Sequence, residues 1–333
     1  MASTHLRSSV GLPISDPGLE SRLSSGFQAV EVGLADAVKS SDAFVSEVSR
    51  HLVEAGGKRF RPLLVLLAAE YGNTAASGVV PSGVVVELTH LATLYHDDVM
   101  DEAPRRRGAE SANLRWGNTV AILTGDFLFA RSSAILADLG PEAVRLQAQT
   151  FERLCVGQIR ETVGPAEGVS AVDHHLAVLA DKTGSLIATS TRYGALASGA
   201  AESVVDALTR FGERIGVAFQ LADDLVDITS DSDESGKTPG TDLREGVQTM
   251  PALLALSAGD DPRLSELLSR PLSDDAEHAE ALALIRANPA LAAARQIALD
   301  WAEDARECLH GLPDIAATRA LSELCDYVVA RTG

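Results

Sequence analysis

Cysteine is scarce: only Cys155, Cys308 and Cys325 occur in 333 residues. An odd number without any Cys-x-x-Cys spacing excludes a disulfide framework and a zinc ribbon, and leaves reduced, mostly structural thiols. No run of about 18 uninterrupted apolar residues is found, so nothing reads as membrane-spanning. Residues 1–16 are polar and broken by Gly11 and Pro13, without the apolar core of a secretory peptide, which predicts a cytoplasmic protein. Cations are few as well: 28 Lys and Arg stand against 47 Asp and Glu, a net charge of −19. That balance argues against nucleic acid as a partner. A Pro/Gly/Ser-rich linker is also missing, so residues 21–333 read as one domain behind a disordered tail of residues 1–20.

What is abundant is Ala, Leu, Glu and Arg, with apolar residues at helical spacing. Aromatics make up 4% and strand-like alternation is short and rare. The class is therefore all-α. Residues 274–286 and, past the Asn288-Pro289 break, 291–299 read as outer structural helices with no chemistry of their own.

Two acidic motifs stand out: Asp97-Asp98-Val99-Met100-Asp101 and Asp223-Asp224-Leu225-Val226-Asp227, each at the end of an apolar helical run. At 100° per residue, the first and last carboxylates of each motif lie about 40° apart on one helix face. A lone motif of this kind reads equally well as a solvated helix end. Two of them, each behind residues that belong in a core, would cost several kcal/mol, roughly, unless cations offset their charge. Sparse same-face carboxylates suit Mg²⁺, which takes one or two of them and completes its shell with water and phosphate oxygens.

Cations to hold such phosphates cluster near the first motif. Lys58, Arg59 and Arg61 follow the Gly56-Gly57 pair, and Arg105-Arg106-Arg107 follows Asp101. Arg forks take phosphate oxygens two at a time and Lys adds a point charge, so the partner predicted is a small polyanion. Arg59 and Arg105 read equally well as ordinary surface cations. His90 lies about 20° round the helix from Asp97, and Gln220 is three residues before Asp223, so each could reach an anion bound on its stripe. Two further patterns in the loop after the second motif are decoys. The stretch from Asp231 to Asp242 resembles a calcium loop but carries Pro239 and ends in Asp, and Gly236-Lys237-Thr238 resembles a P-loop without its first Gly or its strand. A lid bringing Lys237 and Asp242 to a diphosphate is the better reading.

Taken in order, Gly57-Lys58-x-x-Arg61-Pro62, His90, Asp97-Asp98-x-x-Asp101, Arg106-Arg107-Gly108, Lys182-Thr183-Gly184, Phe219-Gln220-x-x-Asp223-Asp224-x-x-Asp227 and Gly236-Lys237 resemble a trans-polyprenyl diphosphate synthase of the long-chain, actinobacterial type. The resemblance runs from about residue 50 to the C-terminus. It implies an antiparallel helical bundle of the isoprenoid synthase type around a central cavity, and a homodimer. It implies a Mg²⁺-dependent prenyltransferase, with three ions per site and Mn²⁺ as a substitute, that condenses isopentenyl diphosphate repeatedly with an allylic diphosphate. By the same resemblance Lys58, Arg61, His90 and Arg107 hold isopentenyl diphosphate. Arg106, Lys182, Thr183, Gln220 and Lys237 surround the allylic diphosphate. Asp97, Asp101 and Asp223 are the main metal ligands, with Asp98, Asp224 and Asp227 completing the acidic set. Lys182 and Lys237 join Asp97, Asp101 and Asp223 in catalysis.

Chain length is expected to depend on Thr89, Ala92 and Thr93, all small; by the resemblance, short-chain members carry a bulky aromatic at the fourth or fifth place before Asp97, the positions of Thr93 and Ala92. This favours a product of about C35 to C50, released with at most transient membrane contact. A short-chain synthase is the alternative. A terpene cyclase would carry an Asn/Ser/Glu motif in place of 223–227 and no second diphosphate cluster, and a non-catalytic partner subunit would tolerate loss of the Asp and Arg residues that are intact here.

Overall fold

The computed structural model describes residues 14–230 and 239–330. In chain order the helices are α1 (Pro17–Ala37), α2 (Ala43–Glu54), α3 (Phe60–Ala69), α4 (Val79–Met100), α5 (Ala112–Trp116), α6 (Asn118–Leu139), α7 (Pro141–Val163), α8 (Ala171–Leu179), α9 (Ser185–Ser198) and α10 (Glu202–Thr229). Then follow α11 (Thr241–Glu245), α12 (Met250–Ala258), α13 (Pro262–Leu268), α14 (Asp275–Ala287), α15 (Pro289–Glu307) and α16 (Ala316–Ala330). A π-helical turn, Ala180–Gly184, joins α8 to α9. Among the described residues the only strands are β1 (Arg105–Arg106) and β2 (Ala109–Glu110), a hairpin with Arg106 opposite Ala109.

Several helices begin where an Asx side chain precedes a proline or an acidic first turn. Asp16 accepts from Leu19 N at 2.7 Å ahead of Pro17, and Asn288 accepts from Ala290 N at 2.9 Å ahead of Pro289. Each such cap satisfies an orphan amide and is worth about 1 kcal/mol. Because Asp16 caps α1, residues 17–20, expected within a disordered tail, are helical. The Asn288-Pro289 break is real, but the helix beyond it runs on to Glu307 because Ala290, Ala294, Ala298, Ala302 and Ala305 keep one face buried.

The chain divides into two compact units. The first comprises Met1–Phe151, Leu186–Thr209 and Gly311–Leu321; the second comprises Glu152–Ser185, Arg210–His310 and Ser322–Gly333. Four of the five boundaries fall inside helices, in α7, α9, α10 and α16, and the fifth, His310/Gly311, falls in the turn between α15 and α16. In the first unit, Leu34 of α1, Leu52 of α2, Leu88 and Tyr95 of α4 and Leu128 of α6 belong to one buried cluster. Tyr95 reaches across it, donating to Val48 O at 2.5 Å and accepting from Leu52 N at 3.3 Å, which ties α2 to the motif-bearing helix. In the second unit, Leu179 of α8 packs with Val217, Leu221 and Leu225 of α10 and with Ala294 and Ala298 of α15. Cys325 is buried and Cys308 half-buried, as structural thiols should be, but Cys155 is exposed on α7 and fills no core.

Candidate active site

Both acidic motifs sit at the C-terminal ends of long helices, 97–100 closing α4 and 223–227 near the end of α10. Helix carbonyls already make that end negative, so carboxylates there are disfavoured by about 0.3–1 kcal/mol each without a cation. The donors offered are hard carboxylate oxygens, the type Mg²⁺ and Ca²⁺ take. Among the described residues no three His, Cys, Asp or Glu side chains form a metal-holding group by themselves. Carboxylates that hold part of a cation's shell, with phosphate oxygens supplying the rest, fit this arrangement.

The six carboxylates are not equivalent. Asp98 is fully buried, and its Oδ1 accepts from Arg106 Nε at 2.6 Å. Burial pushes the Asp98 carboxyl up, and the Arg106 guanidinium pulls it back. Asp224 is also buried, with Oδ2 3.1 Å from His175 Nε2 and Oδ1 accepting from Gln220 Nε2 at 3.3 Å. Asp227 accepts from the backbone amides of Thr241 and Asp242 at 3.2 and 3.1 Å, at the start of α11. Asp98 and Asp224, both expected in the acidic metal set, are thus engaged by Arg106 and by His175 with Gln220. One step along a helix turns a side chain by about 100°, so when Asp97 and Asp223 lie on one stripe their neighbours point into the packing. Asp97 and Asp223 are half-buried and Asp101 is exposed.

The basic cluster beside the first motif is built around Glu87, a residue that no motif pointed to. Glu87 is 1% exposed and accepts from Arg59 Nη1 at 2.9 Å, with Arg107 Nη2 3.6 Å away. Arg59 is no surface cation. It is buried, it also pairs with Glu31 at 2.6 Å, and it donates to Val53 O at 2.9 Å. Arg107 donates to Leu52 O at 3.2 Å and to Gly56 O. Two guanidiniums thus cap the orphan carbonyls at the end of α2, where positive charge is favoured. Gly57 has no Cβ because one would lie 2.8 Å from the Arg107 guanidinium carbon. Arg105 is exposed, in the hairpin whose turn places Arg107 and Gly108 at φ of 52° and 79°.

Arg61 and His90 complete this cluster. Burial pushes the Arg61 guanidinium down to about 10; Glu87 opposes the shift and Arg107 adds to it. Its Nε is buried with no hydrogen-bond partner among the described residues. Burial, with Arg61, Arg107, Arg106 and Arg59 nearby, holds His90 well below the ordinary histidine range, so its ring is neutral at pH 7. Cations here outnumber the carboxylates that face them, and one donor is left unpaired. Such a cluster is suited to a small anion. Lys58 is exposed in the preceding loop.

In the second unit the π-turn carries Lys182 and Thr183. Such turns often mark functional sites, because they aim side chains that a regular helix would not. Lys182 pairs with Glu161, and Thr183 Oγ1 donates to Gln220 Oε1 at 3.3 Å. α7 grips this turn. Arg153 donates to Asp181 Oδ1 at 2.9 Å, to Ala180 O at 3.1 Å and to Glu213, and Arg160 pairs with Asp181 at 2.7 Å. Gly157 allows the close approach, since a Cβ there would stand 2.8 Å from Lys182 N. Sequence reasoning missed Arg153, His175 and Glu161, and only the i, i+8 spacing of Arg153 and Glu161 on α7 marks two of them. Lys237 lies outside the described residues, as do positions 231–238 of the two decoy patterns.

Of the chain-length candidates, Thr89 and Ala92 are fully buried. Ala92 lies in the cluster with Leu88, Leu91 and Leu128, and Thr89 accepts from Gln147 Nε2 at 2.8 Å. Thr93 alone remains partly exposed.

Residues 42–285 match the polyprenyl synthetase family. The chain belongs to that family. It is 49% identical to nonaprenyl diphosphate synthase of Mycobacterium tuberculosis over 326 residues, 97% of each chain. It also superposes on geranylgeranyl pyrophosphate synthase from Corynebacterium glutamicum, solved with calcium and isoprenyl diphosphate, with a TM-score of 0.86 and 43% identity over 97% of this chain and 100% of that one. A decaprenyl diphosphate synthase from Rhodobacter capsulatus gives a TM-score of 0.86 at 35% identity, covering 95% and 98%. The all-α fold is that of isoprenyl diphosphate synthases, and the chain is a trans-prenyltransferase.

Proposed function

We propose that this polyprenyl synthetase condenses isopentenyl diphosphate with an allylic diphosphate repeatedly, to a long product of about C35 to C50, the range of the nonaprenyl, heptaprenyl and decaprenyl relatives. The observation that carries the site reading is the cation-rich cluster with its unpaired Arg61 Nε. Arg61, His90 and Arg107, with Lys58 at the rim, hold isopentenyl diphosphate. Neutral His90 donates one N–H without adding charge that burial would penalise. Lys182 and Thr183 receive the allylic diphosphate, with Lys182 exchanging Glu161 for phosphate oxygen, and Lys237 serves the same anion. Gln220 and Arg106 orient Thr183 and Asp98. Asp97, Asp101 and Asp223 hold divalent ions, which when bound neutralise the diphosphate that leaves. Holding both reactants contributes roughly 7 kcal/mol or more to lowering the barrier.

Incubation with farnesyl diphosphate, isopentenyl diphosphate and Mg²⁺, followed by mass analysis of the dephosphorylated products, tests the reaction and the length together. Absence of any condensed product would overturn the activity. A product ending at C20 would overturn the length and favour the short-chain reading that the 43% identical geranylgeranyl synthase represents.

A homodimer accounts for the outer face of α6. Asn118–Leu139 is long and apolar enough by composition to cross a membrane, yet Ala121 and Leu128 pack it on the first unit's core, while Ile122 and Leu123 are exposed. A second copy covers that face, and no membrane crossing is needed. A solution mass of one 34.9 kDa chain by light scattering would refute the dimer.

A further inference from the structure

His175 is a histidine set in an apolar seam. On α8 its neighbours Val172, Leu176 and Leu179 pack against the second unit's core with Val217, Leu221 and Leu225 of α10. Within this seam His175 Nε2 lies 3.1 Å from Asp224 Oδ2, with both side chains largely buried. An ionised carboxylate only accepts, so Nε2 carries the proton in this contact. Asp224 Oδ1 accepts from Gln220 Nε2 at 3.3 Å, and Gln220 Oε1 accepts from Thr183 Oγ1 at 3.3 Å. Two polar rungs thus join α8 and its π-turn to α10, 175 to 224 and 183 to 220. Replacing a buried polar pair by apolar residues of similar volume is often neutral or stabilising, so stability does not explain this one.

We propose that His175 is a positioning residue for the second Asp-rich motif: by holding Asp224 in the α8–α10 seam it fixes the roll of α10 and so the direction in which Asp223 is presented. The inference rests on the reading of Asp223 as a ligand of the metal–diphosphate group. Without the imidazole, Asp224 keeps one long amide contact and is driven toward water by the cost of a buried, half-satisfied carboxylate. A roll of about 20° at a side-chain radius of about 6 Å carries Asp223 roughly 2 Å. Misplacement of about 1 Å is enough to cost roughly a hundredfold in rate.

The test compares His175→Phe, His175→Gln and Asp223→Asn in the full-length protein. Two quantities are read: the rise in Tm produced by Mg²⁺ with inorganic diphosphate, and the Michaelis constants for farnesyl and isopentenyl diphosphate. His175→Phe fills the seam without a donor. It should melt near the wild type, lose at least about half of the Mg²⁺–diphosphate Tm shift, and raise the farnesyl constant about tenfold with the isopentenyl constant within about twofold. His175→Gln keeps an N–H donor and should stay within about threefold on both. A folded His175→Phe with a wild-type Tm shift and unchanged constants, beside an inactive Asp223→Asn, overturns the role of His175 and leaves the Asp223 reading intact. An Asp223→Asn enzyme with wild-type turnover overturns that reading and the inference with it. Should His175→Phe fail to fold, a His175→Gln variant whose isopentenyl constant rises beyond about threefold and as far as the farnesyl constant overturns the positioning role, and one within about threefold on both supports it.

Discussion

Replacing Glu87 by Gln tests whether the basic cluster is built to hold an anion. The amide keeps the shape of a side chain that is 1% exposed, and removes the charge that Arg59 meets at 2.9 Å and Arg107 at 3.6 Å. Arg59 retains Glu31, but Arg61 and Arg107 lose the carboxylate that opposes the burial of their charge. Breaking a buried ion pair from one side costs about 3–5 kcal/mol. Unfolding entropy of about 2.1 cal/mol/K per residue amounts to about 0.7 kcal/mol/K over a chain of this length, so Tm should fall by about 4–7 °C. The functional readout is the recovery. A diphosphate supplies the missing negative charge, and an anion at a hundred times its Kd restores about 2.7 kcal/mol, or about 4 °C. Melting curves with and without inorganic diphosphate, in the absence of divalent metal so that the Asp motifs contribute little, should show a larger rise in Glu87→Gln than in the wild type. A variant whose Tm does not fall, or whose rise with diphosphate is no larger than the wild type's, would mean that these guanidiniums only cap α2.

Asp97→Asn and Asp223→Asn should each lower turnover by roughly a thousandfold or more with Tm unchanged or raised, because each removes a metal ligand and a charge from a negative helix end; steady-state rates beside melting curves decide it, and near-normal turnover refutes it. Lys58→Ala or Arg61→Ala should raise the Michaelis constant for isopentenyl diphosphate more than that for the allylic substrate, and equal effects would undo the assignment. Thr93→Phe, at the one chain-length position that keeps an exposed surface, should shorten the product toward C15 or C20 in an active enzyme, whereas Ala92→Phe overpacks the α4 core and should cost about 1–3 kcal/mol in stability; mass spectra of the prenyl alcohols and melting curves separate the two. His90 binds a proton in the unfolded chain below about pH 6.5 that the folded protein refuses, because its folded pKa is depressed, so stability should fall as pH drops through that value. His90→Asn should flatten this acid limb in a Tm series from pH 8 to 5, and an unchanged slope would refute the claim.

The helices and both acidic motifs were legible because they depend on near neighbours in sequence. Apolar spacing announces α4 and α10, an Asp274 cap announces α14, and helical geometry alone puts Asp97 and Asp101 on one face. The same geometry turns Asp98 and Asp224 about 100° away from Asp97 and Asp223, but the residues that receive them, Arg106 and His175, are found through space. Arg106 is eight residues from Asp98, past the end of α4 in β1, and His175 is 49 residues from Asp224. Glu87 was hidden for a different reason. It stands in the apolar run of 79–100 and looks like an ordinary polar helix position until Arg59, 28 residues back, is seen to meet it.

Backbone strain marks the same place independently. The non-glycine residues with positive φ among those described are Arg59 at 50°, Glu102 at 49° and Arg107 at 52°, and all three flank the first motif or its basic cluster. Bulky residues hold such conformations at a cost of about 1–3 kcal/mol each, and only where surrounding contacts over-determine them. At two of them the contacts belong to the strained residue itself. Arg59 is held by Glu31, Glu87 and Val53 O, and Arg107 by Leu52 O, Gly56 O and Glu87. A fold that needed only to cap α2 could do so with a relaxed glycine turn, without burying guanidiniums around one carboxylate. The strain is accounted for if the aim of those guanidiniums matters more than their stability, as it does where an incoming diphosphate must find donors already in place.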